Sequence, residues 1–443
     1  MGSQMKRLCA RFFLKICSVF VPFCAFGEVL EVALPTAVQK TAVYLTKIHV
    51  HSSEYDWRYF DELSQVLAFD VGHNGFSSVI LTSENLEETF SWPDVRARFD
   101  VNAWKKARVS YVYALQVFQN RLQLTVFNVQ KESSKKYVDV PLTGKLEIDR
   151  VQVHHLTDAV QKDLFGVQGI ASLKVLYSIR SPNDCGWDSE IWMCDADGAN
   201  SLPLVQHRGY CVSPGFFPGE KGFYYVSFQG GQSKIYNSLG DELVVLRGSQ
   251  ALPSINRQGN QIAFITDVAG RPDLFIQNLD AQGKMVGKAR QVFSAPRATQ
   301  ASPTYSPDGK QIAFVSDKDG VPRIYVLDVQ NPKSTQKTSP RLLTKMHREN
   351  TSPAWSSDGK KLSYSAKVDG VRQIWVYDFV TGTEMPVTTG PEHKENPVWA
   401  PDNCHLIYNT ESDDGCELYR IHIVNKEPLQ ISSGPGQKRF PSW

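Results

Sequence analysis

The sequence predicts an α+β chain: a small amino-terminal α/β domain followed by a six-bladed β-propeller closed by its carboxy-terminal strand. Three observations predict it. A proline-anchored unit of four short strands recurs through residues 167–443, with anchors at Pro214, Pro253, Pro303, Pro353, Pro397 and Pro441, spaced by 39, 50, 50, 44 and 44 residues. Such self-similarity is the mark of a repeat architecture. The first strand pair, Lys174 to Ile179 with Glu190 to Cys194, has no anchor before it, and the last anchor, in Phe440-Pro441-Ser442-Trp443, has no hairpin after it. The two deficits complement each other, so the terminal strand is expected to complete the sheet begun near Val175 and leave no open end. Residues 41–166 lack the repeat and read as mixed helix and strand.

In chain order, residues 1–27 come first. Lys6, Arg7 and Arg11 precede an apolar stretch from Ile16 to Phe26, and Ala25-Phe26-Gly27 offers small residues for cleavage, so an export signal ending near Gly27 is expected. The four cations of that segment (Lys6, Arg7, Arg11, Lys15) account for the formal charge of +2, and the rest of the chain carries −2. No basic footprint of a nucleic-acid binder is present. No stretch reaches the roughly 18 apolar residues of a membrane-spanning helix, so no transmembrane segment is expected in the mature chain. With 42% hydrophobic and 21% charged residues, the composition is that of folded protein.

Cys185, Cys194, Cys211, Cys404 and Cys416 remain after the leader, an odd number. Cys404 and Cys416 would stand at opposite ends of one hairpin, too far apart to bridge. Residues 28–40 have little pattern and read as an amino-terminal arm. In 41–166, Thr41 to Val50 reads as a strand. Trp57, Phe60, Leu63 and Leu67 recur at helical spacing, and Val109 to Phe118 with Leu122 to Val129 flank Gln119-Asn120 as a hairpin. A helix over about 149–165 carries Val153, Leu156, Val160 and Leu164 and stops at Gly166.

Each element of the repeat has a physical reason. Proline at the first position of a strand costs no ladder bond, and the aromatic two residues later points to the same face, where it packs between sheets. Pro-Asp-Gly, as at Pro307-Asp308-Gly309, makes a tight corner. Asp308, Asp358 and Asp402 are therefore read as turn residues and not as a carboxylate ring.

Familiar reaction chemistry has no motif here. There is no Gly-x-Ser-x-Gly, Walker A or dinucleotide fingerprint, and no catalytic residue or cofactor is expected. His49-Val50-His51 offers only half of a metal site, and His154-His155 reads as structural, exposed or partly buried. Asp195-Ala196-Asp197-Gly198 lacks the later ligands of a calcium loop and reads as a turn. No metal site is expected.

The residues just before the anchors stand out instead. In loops entering the innermost strands they place His207, Arg208, Arg297, Thr299, Gln300, His347, Arg348, Glu349, Asn350, His393, Glu395, Asn396, Lys438 and Arg439 around one mouth of the central channel. Turn formation alone does not call for these residue types. Their convergence on a concave mouth predicts a partner-binding surface.

The domain order, the Ser-Pro-Asp-Gly and Ile-Ala-Phe repeats, the Leu164-Phe165-Gly166-Val167 junction and the ending Phe440-Pro441-Ser442-Trp443 resemble the periplasmic TolB family of the Tol-Pal system. The resemblance covers the whole mature chain. It implies a non-enzymatic periplasmic protein whose propeller mouth binds the peptidoglycan-associated lipoprotein, notably through His347, Arg348, Glu349, Asn350, Thr351, Glu395 and Asn396. It further implies that the amino-terminal arm, here Glu28, Val29, Leu30, Glu31 and Val32, binds the carboxy-terminal domain of TolA. The implied role is support of outer-membrane integrity and cell division, peripheral to the outer membrane through its partner. The chain departs from the family pattern at the corners Pro218-Gly219-Glu220 and Arg257-Gln258-Gly259, and Glu28 to Leu34 matches the TolA-binding segment only loosely. Two alternatives share the fold: a periplasmic propeller enzyme, a lyase or hydrolase acting on polysaccharide, and an envelope adaptor outside the Tol system.

Overall fold

The computed structural model describes residues 40–80, 86, 99–137, 139–183, 186–206, 209–219, 221–329, 339–412 and 415–443. The expected export signal, the arm with Glu28, Val29, Leu30, Glu31 and Val32, and Cys185, His207 and Arg208 lie outside the described residues. Residues 37–443 form one compact unit.

A seven-stranded mixed sheet organises the amino-terminal part. Thr41–Leu45 runs parallel to both Ser77–Ile80 and Tyr111–Phe118, which turns back antiparallel into Arg121–Asn128. Gln119 and Asn120 both take positive φ (50° and 56°), as a two-residue hairpin requires. The single strand expected over Thr41 to Val50 is broken: His49–Ser52 is a separate strand on Tyr111–Phe118. At the break the Thr46 hydroxyl accepts the Leu115 N–H at 3.1 Å, replacing the carbonyl a regular ladder would offer.

Helix α1 (Trp57–Gly72) starts where the Asp56 side chain accepts the Arg58 N–H, a standard amino-terminal cap. Its Phe60, Leu63, Leu67 and Val71 bury against Leu115, Leu124, Val126, Val153 and Val160. Helix α2 (Val101–Lys106) covers the other face, burying Trp104. Helix α3 (Leu146–Phe165) ends at Gly166, whose φ of 70° allows the left-handed cap.

The rest is strand. Four antiparallel sheets of four strands follow one another, beginning at Gln250, Gln300, Asn350 and His393. A larger sheet joins Gln437–Ser442, Lys174–Asn183, Gly186–Asp195 and Leu202–Val205 to Tyr210–Phe216, Phe223–Gln229 and Gln232–Asn237. The join is a single parallel bridge, Tyr210 to Ser189, and Gln437–Ser442 pairs antiparallel with Lys174–Asn183.

The anchoring prolines do not begin their strands. Each sits inside one, just after a residue of left-handed backbone: Ser213, Leu252, Ser302, Ser352, Asn396 and Phe440, with φ between 46° and 52°. The register slips at each of these points, which is the signature of a β-bulge. Proline's missing N–H costs nothing in a bulge, which explains its position as well as a strand start would. The aromatics two residues on pack as expected: Tyr305 and Trp399 are buried between sheets, and the Trp399 indole donates to the Ala354 carbonyl of the preceding one.

The corners behave as turns. Asp308 accepts from the Ser306 hydroxyl and the Lys310 N–H, and Asp358 does the same with Ser356 and Lys360. Asp402 is buried and holds the Nδ1 of His405 at 2.5 Å. Cys194, Cys211, Cys404 and Cys416 are free thiols.

The corner end of the repeat sheets meets the α/β part across a polar, largely buried face. His154 on α3, expected to be exposed or partly buried, is 2% exposed; its Nδ1 lies 2.7 Å from Asp70 on α1. Arg150 reaches Asp195 and Asp197, which close a turn in which the Gly198 N–H donates to the Asp195 carbonyl. Arg420 donates to the Ala196 carbonyl and lies over Phe69. Asn425 donates to the Gly75 carbonyl, and Phe76 meets His422 edge-on.

His422 makes this face pH-sensitive. Burial, and then the nearby His405, push it from 6.5 down to about 4. Between those values the folded ring is neutral while the unfolded chain takes up the proton, so stability falls as pH drops through that window. His422→Gln is expected to remove about 2 kcal/mol of the acid-side loss, measured by urea unfolding at pH 7 and pH 4.5. Equal slopes for wild type and variant would refute it.

Candidate partner-binding site

In each repeat the first strand runs from the mouth to the corner, and the second returns to the mouth. Pre-anchor residues and the turns between second and third strands therefore share one end, opposite the α/β contacts. Several bonds tie these tiers together: the Thr299 N–H donates to Asp317 at 2.6 Å, the Ser249 N–H to Asp267 at 2.7 Å, and Glu349 pairs with Lys367 at 3.2 Å.

The predicted residues separate into three groups. Gln300, Asn350 and Lys438 are enclosed, against the expectation that they face a partner. Gln300 bonds Asp273 and Ser316, Asn350 donates to the His347 carbonyl, and Lys438 pairs with Glu417 at 2.8 Å. They hold the rim together. With Thr351, His393, Glu395, Asn396 and Arg439 they belong to strands, not to the entering loops, because each strand starts before its bulge.

A second group forms a bonded rim. The Arg372 guanidinium pairs with Glu395 at 3.0 Å and donates to the Thr351 hydroxyl, while its backbone N–H donates to His393 Nδ1. Burial raises the Glu395 pKa, and Arg372 works against that shift. Arg439 pairs with Glu411 at 2.7 Å, and Asn396 donates to Asn409. The His347 ring stands edge-on to Trp375, centroids 4.3 Å apart, with its Nε2 enclosed and unpartnered.

Arg297, Thr299 and Arg348 form the third group, exposed at the rim. Residue-type reasoning missed Arg372, Glu411, Arg180 and Trp187. Their signal was available in the repeat, since the strand-turn-strand segments that carry them must return to the same mouth.

A cation site could be sought where His154 Nε2 and the carboxylates of Asp195 and Asp197 come within 4.8 Å of one another. Arg150 and Lys174 already hold those carboxylates, and Asn200 donates to Asp195. The cluster is a charge-paired contact. The rings of His49 and His51 sit edge-on 4.4 Å apart on a short strand.

The family model of the TolB beta propeller domain matches residues 161–443. The chain belongs to the TolB β-propeller family. A TolB homolog of Protochlamydia amoebophila (strain UWE25) is 38% identical over 301 residues, covering 64% of each chain. A TolB homolog of Chlamydia felis (strain Fe/C-56) is 35% identical over 201 residues, 43% of this chain and 47% of its own. The match thus spans about two thirds or less of these relatives. The crystal structure of TolB from Acinetobacter baumannii superposes with a TM-score of 0.75 at 21% identity, covering 92% of this chain and 97% of its own. That likeness is one of fold. The fold is a TolB-like β-propeller, mostly strand with few helices, and among the described residues no helix is long and apolar enough to cross a membrane.

Proposed function

We propose that this chain is a periplasmic, non-enzymatic component of the Tol-Pal system, exported with cleavage near Gly27. Its propeller has six blades closed by the carboxy-terminal strand. The mouth docks the peptidoglycan-associated lipoprotein, and the arm at Glu28 to Val32 docks the carboxy-terminal domain of TolA, in support of outer-membrane integrity and division. One observation carries the docking reading: the rim gathers exposed Arg297, Thr299 and Arg348 beside the Arg372–Glu395 and Arg439–Glu411 pairs, on a scaffold whose buried Gln300, Asn350 and Lys438 fix the backbone. Six equivalent bulges and the pairing of Gln437–Ser442 with Lys174–Asn183 support the closed ring.

A few central residues dominate such interfaces, whereas rim charges mainly affect encounter. Replacing His347, Arg348 and Glu349 together by alanine should weaken binding of the lipoprotein's soluble domain by at least about 2 kcal/mol, with the melting temperature preserved. Titration calorimetry reads the loss. Unchanged affinity for the triple variant, together with loss on changing an outer strand, would place the site elsewhere.

A further inference from the structure

The mouth is uneven around its circumference. Between the terminal sheet and its neighbour, where Tyr210 bridges to Ser189, the rim is aromatic. Arg180 lies over the Trp187 ring at 4.1 Å and within 5.9 Å of the Tyr210 ring. Trp187 is 42% exposed, and Phe228, paired across the ladder with Tyr210, is 49% exposed. Gln437 stands opposite Arg180 in register, so this sector adjoins the pre-anchor residues of the last strand.

Arg180 also differs from Arg372 and Arg439 in charge balance. Arg372 has Glu395 and Arg439 has Glu411. The Arg180 Nε is buried without a hydrogen-bond partner, and among the described residues no carboxylate reaches ion-pair distance of its guanidinium. Its flat faces are spent on aromatic rings, and among the described residues its edge meets no carboxylate. Arginine held on aromatic faces keeps its fork for a carboxylate, and Trp, Tyr and Arg are the residue types in which interface energy concentrates.

We infer that Arg180, Trp187, Tyr210 and Phe228 form the anchor subsite of the mouth, taking an acidic side chain of the docked protein on Arg180 with apolar residues beside it on Trp187 and Phe228. The inference rests on the mouth being the docking face and specifies the chemistry of what docks there. The occupant is a segment of a folded protein partner in which a carboxylate is flanked by apolar side chains.

The test uses the full mature chain and the soluble domain of the peptidoglycan-associated lipoprotein as probe. Trp187→Ala and Arg180→Ala should each weaken binding at least tenfold. Trp187→Phe should retain most of the affinity, Arg180→Lys should not, and added salt should narrow the gap between wild type and Arg180→Ala. If Arg180→Ala lowers the melting temperature, Trp187→Ala decides, because its indole is exposed. Wild-type affinity for Trp187→Ala, alongside a loss for the triple change at His347, Arg348 and Glu349, would overturn the anchor and leave the mouth reading standing. Normal binding by both sets, or no binding by the wild type, would overturn both.

Discussion

Deleting Arg439–Trp443 is expected to destabilise the protein by more than about 4 kcal/mol, beyond what ordinary single substitutions do. The deletion strips most of the partner strand from Lys174–Asn183 and leaves that strand as an open edge. It also removes the Arg439–Glu411 pair and the bond from the Trp443 indole to the Val398 carbonyl of the neighbouring sheet. An exposed edge invites pairing with other chains, so the truncated protein should also self-associate. Trp443 is partly buried, against Val175, Tyr177, Ile407 and Leu418. Trp443→Ala should therefore cost about 2 to 3 kcal/mol, below the usual cost for a fully enclosed aromatic. Urea unfolding of the truncated chain, with sedimentation to read its oligomeric state, tests both consequences. A monomer of unchanged midpoint would show that the terminal strand is dispensable and would count against closure of the propeller by that strand.

Arg420→Ala should cost about 3 to 5 kcal/mol, the range found when one partner of a buried charge arrangement is removed. Arg420 is 5% exposed and serves the field of Asp70, Asp197, Asp402 and Asp158, drawn from both the α/β part and the repeat sheets. Without it, the buried Asp70 and Asp402 lose a nearby cation and the Ala196 carbonyl loses its donor. Burial lowers the Arg420 pKa, and those carboxylates work against that shift. Arg420→Met, which keeps much of the volume, should recover little, because the missing quantity is charge. Denaturant midpoints for the two variants decide the matter. A loss for Arg420→Ala that Arg420→Met largely recovers would mean that packing over Phe69, and not charge balance, is what Arg420 supplies.

How much of the site was legible depends on which interactions place each residue. The mouth's residue types could be read from the repeat because short-range geometry put them there: a hairpin must return its turn to the end from which it came. Their burial could not be read. Gln300, Asn350 and Lys438 look like their exposed neighbours in sequence, and only the pairing of strands beginning before each bulge encloses them. The bulges themselves had no decisive signal. A proline is compatible with a strand start and with a bulge, and the choice lies in six residues adopting left-handed backbone under the constraint of the flanking ladders.

By itself the sequence determined the alternation of corner and hairpin, the aromatics between sheets, the cap at Gly166, and the order of a mixed domain before a repeat. These are consequences of local chemistry: turn residues at fixed offsets, period-2 alternation and cap geometry. Tertiary structure alone decided the buried charge contact, where Asp70, His154, Asp195 and Arg420 meet from segments up to 350 residues apart. It also decided the Arg180–Trp187–Tyr210 cluster, which depends on a single bridge between two sheets. Long-range electrostatics and cation–π contacts depend on distance in space, and spacing along the chain carries no record of it until the ladders bring the strands together.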